Sequence, residues 1–128
     1  MTPDNHIKAA ADLLNAEKTR EQISLLTKRY PEMGMDDAYA VQNAIYRAKL
    51  QQGRTVVGWK IGLTSKAMQY ALNINIPDSG ILFDDMVFAN GAIVPKERFI
   101  QPRIEAEIAF VMKSSVGGED VTREDIIE

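Results

Sequence analysis

The sequence predicts an α+β fold in which two amphipathic helices precede a β-rich stretch. Apolar residues recur at helical spacing over 4–18 and again over 36–52. From Thr55 the pattern changes, because β-branched and aromatic residues then occupy alternate positions, as is typical of strands. We therefore expect a helical segment over 1–54, followed by the start of an α+β domain over 55–128.

The helices of the first segment have clear limits. The first carries one apolar stripe, and the second begins at Met35 or Asp36, has acidic residues in its first turn, and ends before Gly53. Residues 19–29 fit either a helix extension or a packed loop that ends at Pro31. The stripe of the first helix consists of Ile7, Ala10, Ala11 and Leu14.

The second segment alternates short strands with turns. We expect a strand over 55–63, a short helix over 66–72 with Ser65 as its N-cap, and a loop over 73–80. A strand over 81–88 is followed by the Asn90-Gly91 turn of a hairpin, and a further strand covers 103–112. Thr122 is the expected N-cap of a last helix, which the sequence predicts to continue beyond Glu128.

Composition excludes several classes of function. The 128 residues are 45% apolar and 26% charged with a net charge of −3, which is ordinary for a globular protein. Basic residues are interspersed with acidic ones, so nucleic-acid binding is not expected. Neither a signal peptide nor a membrane span is predicted, and we expect a cytoplasmic protein.

Cysteine and histidine usage restricts the chemistry further. There is no cysteine, which excludes disulfides, thiolate catalysis and Cys-ligated zinc. The single histidine, His6, excludes a His-based triad or a multi-His metal site. Any metal would therefore be bound by oxygen atoms.

The predicted strand over 103–112 carries the first candidate site. One face is apolar throughout, whereas the other bears Glu105 and Glu107 and continues with Ala109 and Val111. Two carboxylates about 6.6 Å apart along a strand can converge on one hard cation such as Mg²⁺ or Mn²⁺. The simpler interpretation is a half-solvated strand whose glutamates face water.

Two further segments carry candidate residues. Lys60 lies between Gly58 and Gly62, and these small neighbours leave room for a ligand beside the lysine. The lysine amine could then bind a carboxylate or move a proton. The plain alternative is a lysine at an exposed position of a strand. Asp78 lies in a sequence that equally suits an ordinary turn. The helix start after Thr64 and Ser65 offers backbone N–H groups to an anion, and Arg103 is either a cleft residue or a surface charge.

Four motifs together resemble the hydratase/decarboxylase branch of the fumarylacetoacetate hydrolase superfamily. They match it in order and spacing over most of the chain, and each is weak alone. The motifs are Asp37-Ala38-Tyr39-Ala40-Val41-Gln42, Gly58-Trp59-Lys60-Ile61-Gly62-Leu63-Thr64-Ser65-Lys66, Pro77-Asp78-Ser79-Gly80 and Gln101-Pro102-Arg103-Ile104-Glu105-Ala106-Glu107-Ile108-Ala109.

The resemblance implies the first half of a β-roll fold and a divalent metal, Mg²⁺ or Mn²⁺. Glu105 and Glu107 match the family's paired ligands, and a third acidic ligand is expected beyond Glu128. Lys60 and Asp78 are implied as acid/base residues. Lys66 and Arg103, with Thr64 and Ser65, are the residues we expect to bind substrate.

The activity implied by the resemblance is hydration of a 2-hydroxy-2,4-dienoate, of the 2-oxo-hept-4-ene-1,7-dioate type, to a 4-hydroxy-2-oxo acid. Ala106 favours a hydratase, because the decarboxylases of the branch tend to have proline there. A 4-oxalocrotonate-type decarboxylase and an inactive fragment or structural partner subunit are the alternatives. A homo-oligomer, with association with a decarboxylase paralogue, is also expected.

Overall fold

A computed structural model of the chain describes residues 1–127, with side chains for 1–126, and its architecture is α+β as the sequence predicts. Two long helices come first, then a two-stranded sheet interrupted by a short helix. The elements are α1 (Pro3–Thr19), α2 (Leu26–Arg29), α3 (Met35–Gln51), β1 (Val56–Gly62), α4 (Lys66–Leu72), β2 (Asp78–Phe83) and α5 (Glu124–Ile127). Single 3₁₀ turns cover Asp84–Met86 and Lys96–Arg98.

Helix α1 packs against α3 through small side chains. Thr2 caps α1 by accepting a hydrogen bond from the backbone N–H of Asn5 at 3.3 Å. The contact between the helices buries Ala9 and Ala10 against Val41. Of the predicted apolar stripe only Ala10 is fully buried, and Ile7 is 62% exposed, so the packed face is rotated towards Ala9. The methyl groups of alanine allow the two helices to approach closely.

The sheet consists of β1 and β2, which pair antiparallel. Trp59 lies opposite Ile81, Lys60 opposite Gly80, and Gly62 opposite Asp78. The predicted strand over 55–63 and the predicted helix over 66–72 are confirmed by β1 and α4. The second strand begins three residues earlier than predicted and ends at Phe83, so Asp78 belongs to the sheet and not to a loop.

Phe83 anchors the sheet to the helices. Its ring is 3% exposed and lies 6.4 Å, centroid to centroid, from the ring of Tyr46 on α3. The ammonium group of Lys49 lies 5.4 Å from the same ring centroid and donates to Glu17 of α1 at 2.6 Å. Because Lys49 is itself buried, this arrangement joins α1, α3 and β2 around one charged group.

The prediction of a strand over 103–112 is wrong for the part of the chain that the structure describes. These residues have no regular secondary structure, and Ile104, Ile108 and Val111 are almost wholly exposed. The Asn90-Gly91 turn forms, with a 3.0 Å bond from Ala92 N–H to Ala89 C=O, yet no hairpin strands flank it. Alternation alone does not make a strand, because a strand also needs a hydrogen-bonded neighbour, and residues 1–127 supply none here.

Helix α5 begins at Glu124, in agreement with the predicted N-cap at Thr122, whose backbone N–H and hydroxyl both bind the Asp125 carboxylate. The predicted continuation beyond Glu128 lies outside the described residues. Of the helices over 1–127, none has the length and apolar character needed to cross a bilayer. The division of the chain at residues 54 and 55 stays a prediction.

Candidate active site

Lys60 projects from a face of the sheet that carries three glycines together with Leu82 and Asp78. Alternate residues of a strand face opposite sides, so Lys60 shares its face with Gly58 and Gly62 and, across the sheet, with Gly80. Phe83 packs towards α3 on the opposite side. A Cβ added to Gly80, opposite Lys60, would meet nothing within 4 Å, so there is open space beside the lysine, as expected for an approach by a ligand.

The ammonium group of Lys60 binds both predicted metal ligands. Its Nζ atom lies 3.2 Å from Oε2 of Glu105 and also donates to Oε1 of Glu107. The side chains are 44%, 65% and 47% exposed for Lys60, Glu105 and Glu107, so neither glutamate is fully solvated. Residues that are 45 and 47 positions apart in sequence thus meet at one point, although the segment that carries the glutamates forms no strand.

These contacts shift the protonation equilibria of the cluster. The hydrogen bonds that Lys60 donates to Glu107 and to Glu105 raise the pKa of Lys60 above its ordinary value. The hydrogen bond from Lys60 lowers the pKa of Glu107 below that of a free glutamate. The pKa shifts of Lys60 and Glu107 therefore keep both of these groups charged around neutral pH.

Asp78 lies on the same face as Lys60, one step along the sheet. It opposes Gly62, while Lys60 opposes Gly80, so the two side chains occupy diagonal positions that are typically about 7–8 Å apart. The carboxylate lies directly over Gly62, where an added Cβ would overlap Oδ1 and lie 3.2 Å from Cγ. The structure thus places both predicted acid/base residues and both predicted metal ligands on one side of the sheet.

Three of the four predicted substrate-binding residues lie around the turn that leads from β1 into α4. Leu63 has a positive φ of 54°, which is strained for a residue with a side chain. Its carbonyl oxygen accepts from the buried amide of Gln69 at 2.5 Å, and Lys66 Nζ donates to the same amide's oxygen at 3.0 Å. Lys66 is therefore held along α4 by Gln69.

The remaining three predicted residues are exposed. Thr64 and Ser65 lie in the turn, and Ser65 precedes α4 without a side-chain cap bond. Arg103 forms no ion pair with any residue over 1–126 and lies two positions before Glu105. The structure brings Lys60, Asp78, Glu105 and Glu107 to one face, and it does not join Lys66 or Arg103 to them by a hydrogen bond.

Two residues at the back of the site received no role from the sequence. On α3, Tyr39 and Gln42 bind the backbone of Ser79, the residue after Asp78. Gln69 on α4 was also missed. A signal existed for Gln42, since it is a polar residue within the apolar helical spacing over 36–52.

The donor set of Glu105 and Glu107 fits a hard divalent cation. Their oxygen atoms converge on a single cationic atom, and all the donors are carboxylate oxygens, which Mg²⁺ and Mn²⁺ prefer. Over the described residues, no group of three or more acidic, histidine or cysteine side chains forms a complete metal site. The two glutamates are therefore a partial ligand set.

Comparisons with known proteins give a consistent set of relatives. The chain is 50% identical over 121 residues to 2-oxo-hept-4-ene-1,7-dioate hydratase from Escherichia coli, covering 94% of this chain and 45% of that protein. It is 39% identical over 128 residues to 2-keto-4-pentenoate hydratase from Paraburkholderia xenovorans (strain LB400), covering 100% of this chain and 48% of the relative. The chain thus spans about half the length of the curated relatives it matches, and no family model matches it.

Solved structures add a likeness of fold. A 4-oxalocrotonate decarboxylase from Pseudomonas putida G7, complexed with calcium and acetate, superposes with a TM-score of 0.65 at 36% identity, over 66% of this chain and 33% of that one. The complex of that decarboxylase with magnesium and adipate gives a TM-score of 0.64. The predicted resemblance to the hydratase/decarboxylase branch is confirmed, and the fold is that of part of these enzymes.

Proposed function

We propose that the protein is a divalent-metal-dependent hydro-lyase that hydrates a 2-hydroxy-2,4-dienoate, of the 2-oxo-hept-4-ene-1,7-dioate type, to a 4-hydroxy-2-oxo acid in the degradation of aromatic compounds. The observation that carries this proposal is the gathering of Lys60, Asp78, Glu105 and Glu107 on one face of the sheet. Relatives named as hydratases, at 39% to 50% identity, support it.

Glu105 and Glu107 would hold the cation, Mg²⁺ or Mn²⁺. The solved relatives complexed with calcium and magnesium support a divalent ion. When bound, such an ion stabilises negative charge that develops on an oxygen of a 2-oxo acid. Its ligands must be ionised, and the lowered pKa of Glu107 keeps that carboxylate charged at neutral pH.

Lys60 and Asp78 are the proposed acid/base residues. Hydration through the 2-oxo tautomer needs a proton moved to carbon before water adds at C4, and either side chain can hold or deliver it. The hydrogen bonds from Lys60 to Glu107 and Glu105 raise its pKa and keep its amine protonated. Asp78 places a carboxyl group on the same face of the sheet. Arg103, Lys66 and the turn at Thr64 and Ser65 are proposed to bind the substrate's carboxylate groups.

A 4-oxalocrotonate-type decarboxylase is the second candidate. The likeness of fold to the solved decarboxylase favours it, whereas Ala106 between the two glutamates favours hydration. Both reactions act on a 2-oxo acid, and the cation held by Glu105 and Glu107 would favour negative charge on its oxygen in either case. They differ in that the decarboxylase releases carbon dioxide, whereas the hydratase adds water.

The test is turnover by the purified protein with Mg²⁺ or Mn²⁺ present. With 2-oxo-hept-4-ene-1,7-dioate, we expect the product to gain one water in mass spectrometry, and Asp78→Asn to slow this gain strongly. Carbon dioxide release from a 2-oxo-dienedioate without hydration would identify the decarboxylase. If neither reaction occurs with either metal, the alternative of an inactive fragment or structural partner subunit replaces both.

Metal binding has its own measurement. Glu105→Gln and Glu107→Gln should each weaken Mn²⁺ binding by at least about tenfold, since even an outer-shell change commonly costs this much. Glu119→Gln removes the same charge from an exposed position and is the matched control. Titration of Mn²⁺ followed by electron paramagnetic resonance checks this result, and equal affinities in all the variants would place the metal elsewhere.

Assembly and location are further parts of the proposal. We propose a cytoplasmic homo-oligomer that can also associate with a decarboxylase paralogue. Light scattering of the purified protein, alone and mixed with such a paralogue, measures both kinds of association. A monomer in both samples would contradict this part and leave the proposed chemistry unaffected.

A further inference from the structure

Ser79 is bound on both of its backbone polar groups by one helix. Its N–H donates to the hydroxyl oxygen of Tyr39 at 3.2 Å, and its C=O accepts from the side-chain amide of Gln42 at 2.9 Å. Tyr39 and Gln42 are three positions apart on α3 and therefore share a face of that helix. Two side chains of α3 thus hold the backbone of a single residue of β2 by hydrogen bonds.

These two hydrogen bonds take the place of a second neighbouring strand beside β2. Strand β2 has β1 as its only hydrogen-bonded neighbour among the described residues, and the N–H and C=O groups of Ser79 bind side chains of α3 instead. Such edge groups are otherwise left to water. Tyr39 and Gln42 supply one acceptor and one donor, which is what a neighbouring strand would supply at that position.

Ser79 is also the residue between the two positions that define the site. Asp78 before it opposes Gly62, and Gly80 after it opposes Lys60. A one-residue slip of β2 would turn Asp78 to the other face of the sheet. The bonds to Ser79 therefore act on the register of the strand that presents Asp78 beside Lys60.

The space for the Asp78 side chain is equally restricted. A Cβ on Gly62 would overlap the Asp78 carboxylate, so the absence of a side chain there is what lets Asp78 lie over β1. The backbone of β2 is fixed from the α3 side by Tyr39 and Gln42, and the carboxylate lies over Gly62 on the other side. Tyr39 and Gln42 line one pocket with Trp59 and Ile81, on the opposite side of the sheet from Lys60.

We infer that Tyr39 and Gln42 are positioning residues, which hold the Ser79 backbone and thereby fix Asp78 next to Lys60. This inference rests on the proposed function, in which Asp78 handles a proton. Removing either hydrogen bond should misplace Asp78 without touching the substrate-binding residues. A small displacement of a catalytic group can lower a rate by about a hundredfold.

The first experiment compares Gln42→Leu and Tyr39→Phe with matched variants on the same helix. Tyr46→Phe removes a hydroxyl that has no hydrogen bond within residues 1–126, and Gln51→Leu changes an exposed glutamine near the end of α3. We expect kcat for hydration to fall about tenfold to a hundredfold in the first pair, with KM changed by less than about twofold. Both controls should keep the wild-type kcat and KM. If Gln42→Leu and Tyr39→Phe also keep the wild-type kcat, the inference is overturned.

A double-mutant cycle separates positioning from a general loss of structure. If Gln42 acts through Asp78, Gln42→Leu should cost less than about twofold in kcat once Asp78→Asn is present, because coupled residues are not additive. Full additivity would show that Gln42 acts independently of Asp78 and would overturn the inference. Unimpaired hydration by Asp78→Asn would overturn it as well.

Amide hydrogen exchange tests the hydrogen bond to Ser79 independently of any activity. If no hydration is found, the proposed function fails, but this structural test still stands. Losing one hydrogen bond should speed exchange of the Ser79 amide by roughly fivefold in Tyr39→Phe, while Tyr46→Phe leaves the rate unchanged. Such a result would keep the structural part of the inference. An unchanged Ser79 rate in Tyr39→Phe would remove it.

Discussion

Asp37 collects hydrogen bonds from three separate parts of the chain. Its carboxylate accepts from the Met1 amino group at 2.9 Å, contacts Nε2 of His6 at 2.7 Å, and accepts from the backbone N–H of Gly34 at 3.1 Å. The bond from the amino group is the largest cause that lowers the pKa of Asp37, followed by the bond from His6. The residue both caps α3 and ties it to α1.

The pH dependence of stability follows from the sign of that shift. A lowered pKa means that the contribution of Asp37 is present above the ordinary carboxyl pKa of 3.8 and is lost as the pH falls through the lower folded value. Asp37→Asn should therefore lower Tm at neutral pH by a few degrees and flatten the acid limb of the Tm profile. Calorimetry between neutral pH and pH 3 measures both effects.

Asp36→Asn is the control for Asp37. It removes the same charge from the same first turn of α3, where Asp36 is exposed. If the two variants have the same acid limb, the helix dipole and not the local hydrogen bonds accounts for the effect.

Single residues also show where sequence reasoning works best. Lys60, Glu105 and Glu107 were predicted because charged side chains stand out between glycines or in an apolar pattern. Tyr39 and Gln42 were not given a role, because they bind a backbone group about forty positions away and nothing local marks that contact.

At the scale of elements, β1 and β2 form a sheet whose Lys60-bearing face depends on glycine. Gly58 and Gly62 lie on the same face of β1, yet they differ in their surroundings. A Cβ at Gly58 would meet Leu82 Cδ1 at 3.9 Å, which is an ordinary contact, whereas one at Gly62 would collide with the Asp78 carboxylate. The two glycines thus provide a matched pair.

Gly62→Ala should displace the Asp78 carboxylate and lower kcat for hydration by about tenfold or more. The free energy of unfolding should change by no more than about 1 kcal/mol, because alanine replaces glycine within a strand and the displaced group is a side-chain end. Gly58→Ala should leave both quantities near wild type. Steady-state kinetics and urea unfolding measure them, and full activity in Gly62→Ala would show that the observed position of Asp78 is not required.

Elements that depend on nearby residues were predicted well. Helices α1, α3 and α4 lie within two residues of their expected limits, since caps and apolar spacing act over a few positions. The segment over 103–112 has an equally clear alternation and is not a strand, because pairing requires a partner that is distant in sequence.

The molecule as a whole has a small core and much exposed apolar surface. Over residues 1–126, its buried hydrophobic residues are three alanines, Val41 and Phe83, so the core holds few large side chains. In contrast, Ile104 is 101%, Ile108 86% and Phe110 71% exposed, all in the segment that carries the two glutamates. Contiguous apolar surface of this kind binds apolar ligands readily.

We expect the 128-residue polypeptide to enhance the fluorescence of the dye ANS, which binds exposed apolar surface. The double variant Ile104→Ser, Ile108→Ser should reduce this enhancement substantially. Ile93→Ser changes an isoleucine that is 94% exposed outside the segment and serves as the control. No enhancement in the wild type would show that the segment is covered in solution.

The sequence by itself determined the α+β class, the limits of the long helices, and the identity of the charged residues of the candidate site, because these depend on local spacing and on side-chain chemistry. Only the tertiary structure decided that Lys60 binds both glutamates, that Asp78 lies in a strand over Gly62, and that α3 holds Ser79. Each of these contacts joins residues that are far apart in the chain. Their formation depends on how β1 and β2 pair and how α3 packs against them, and no local pattern records that geometry.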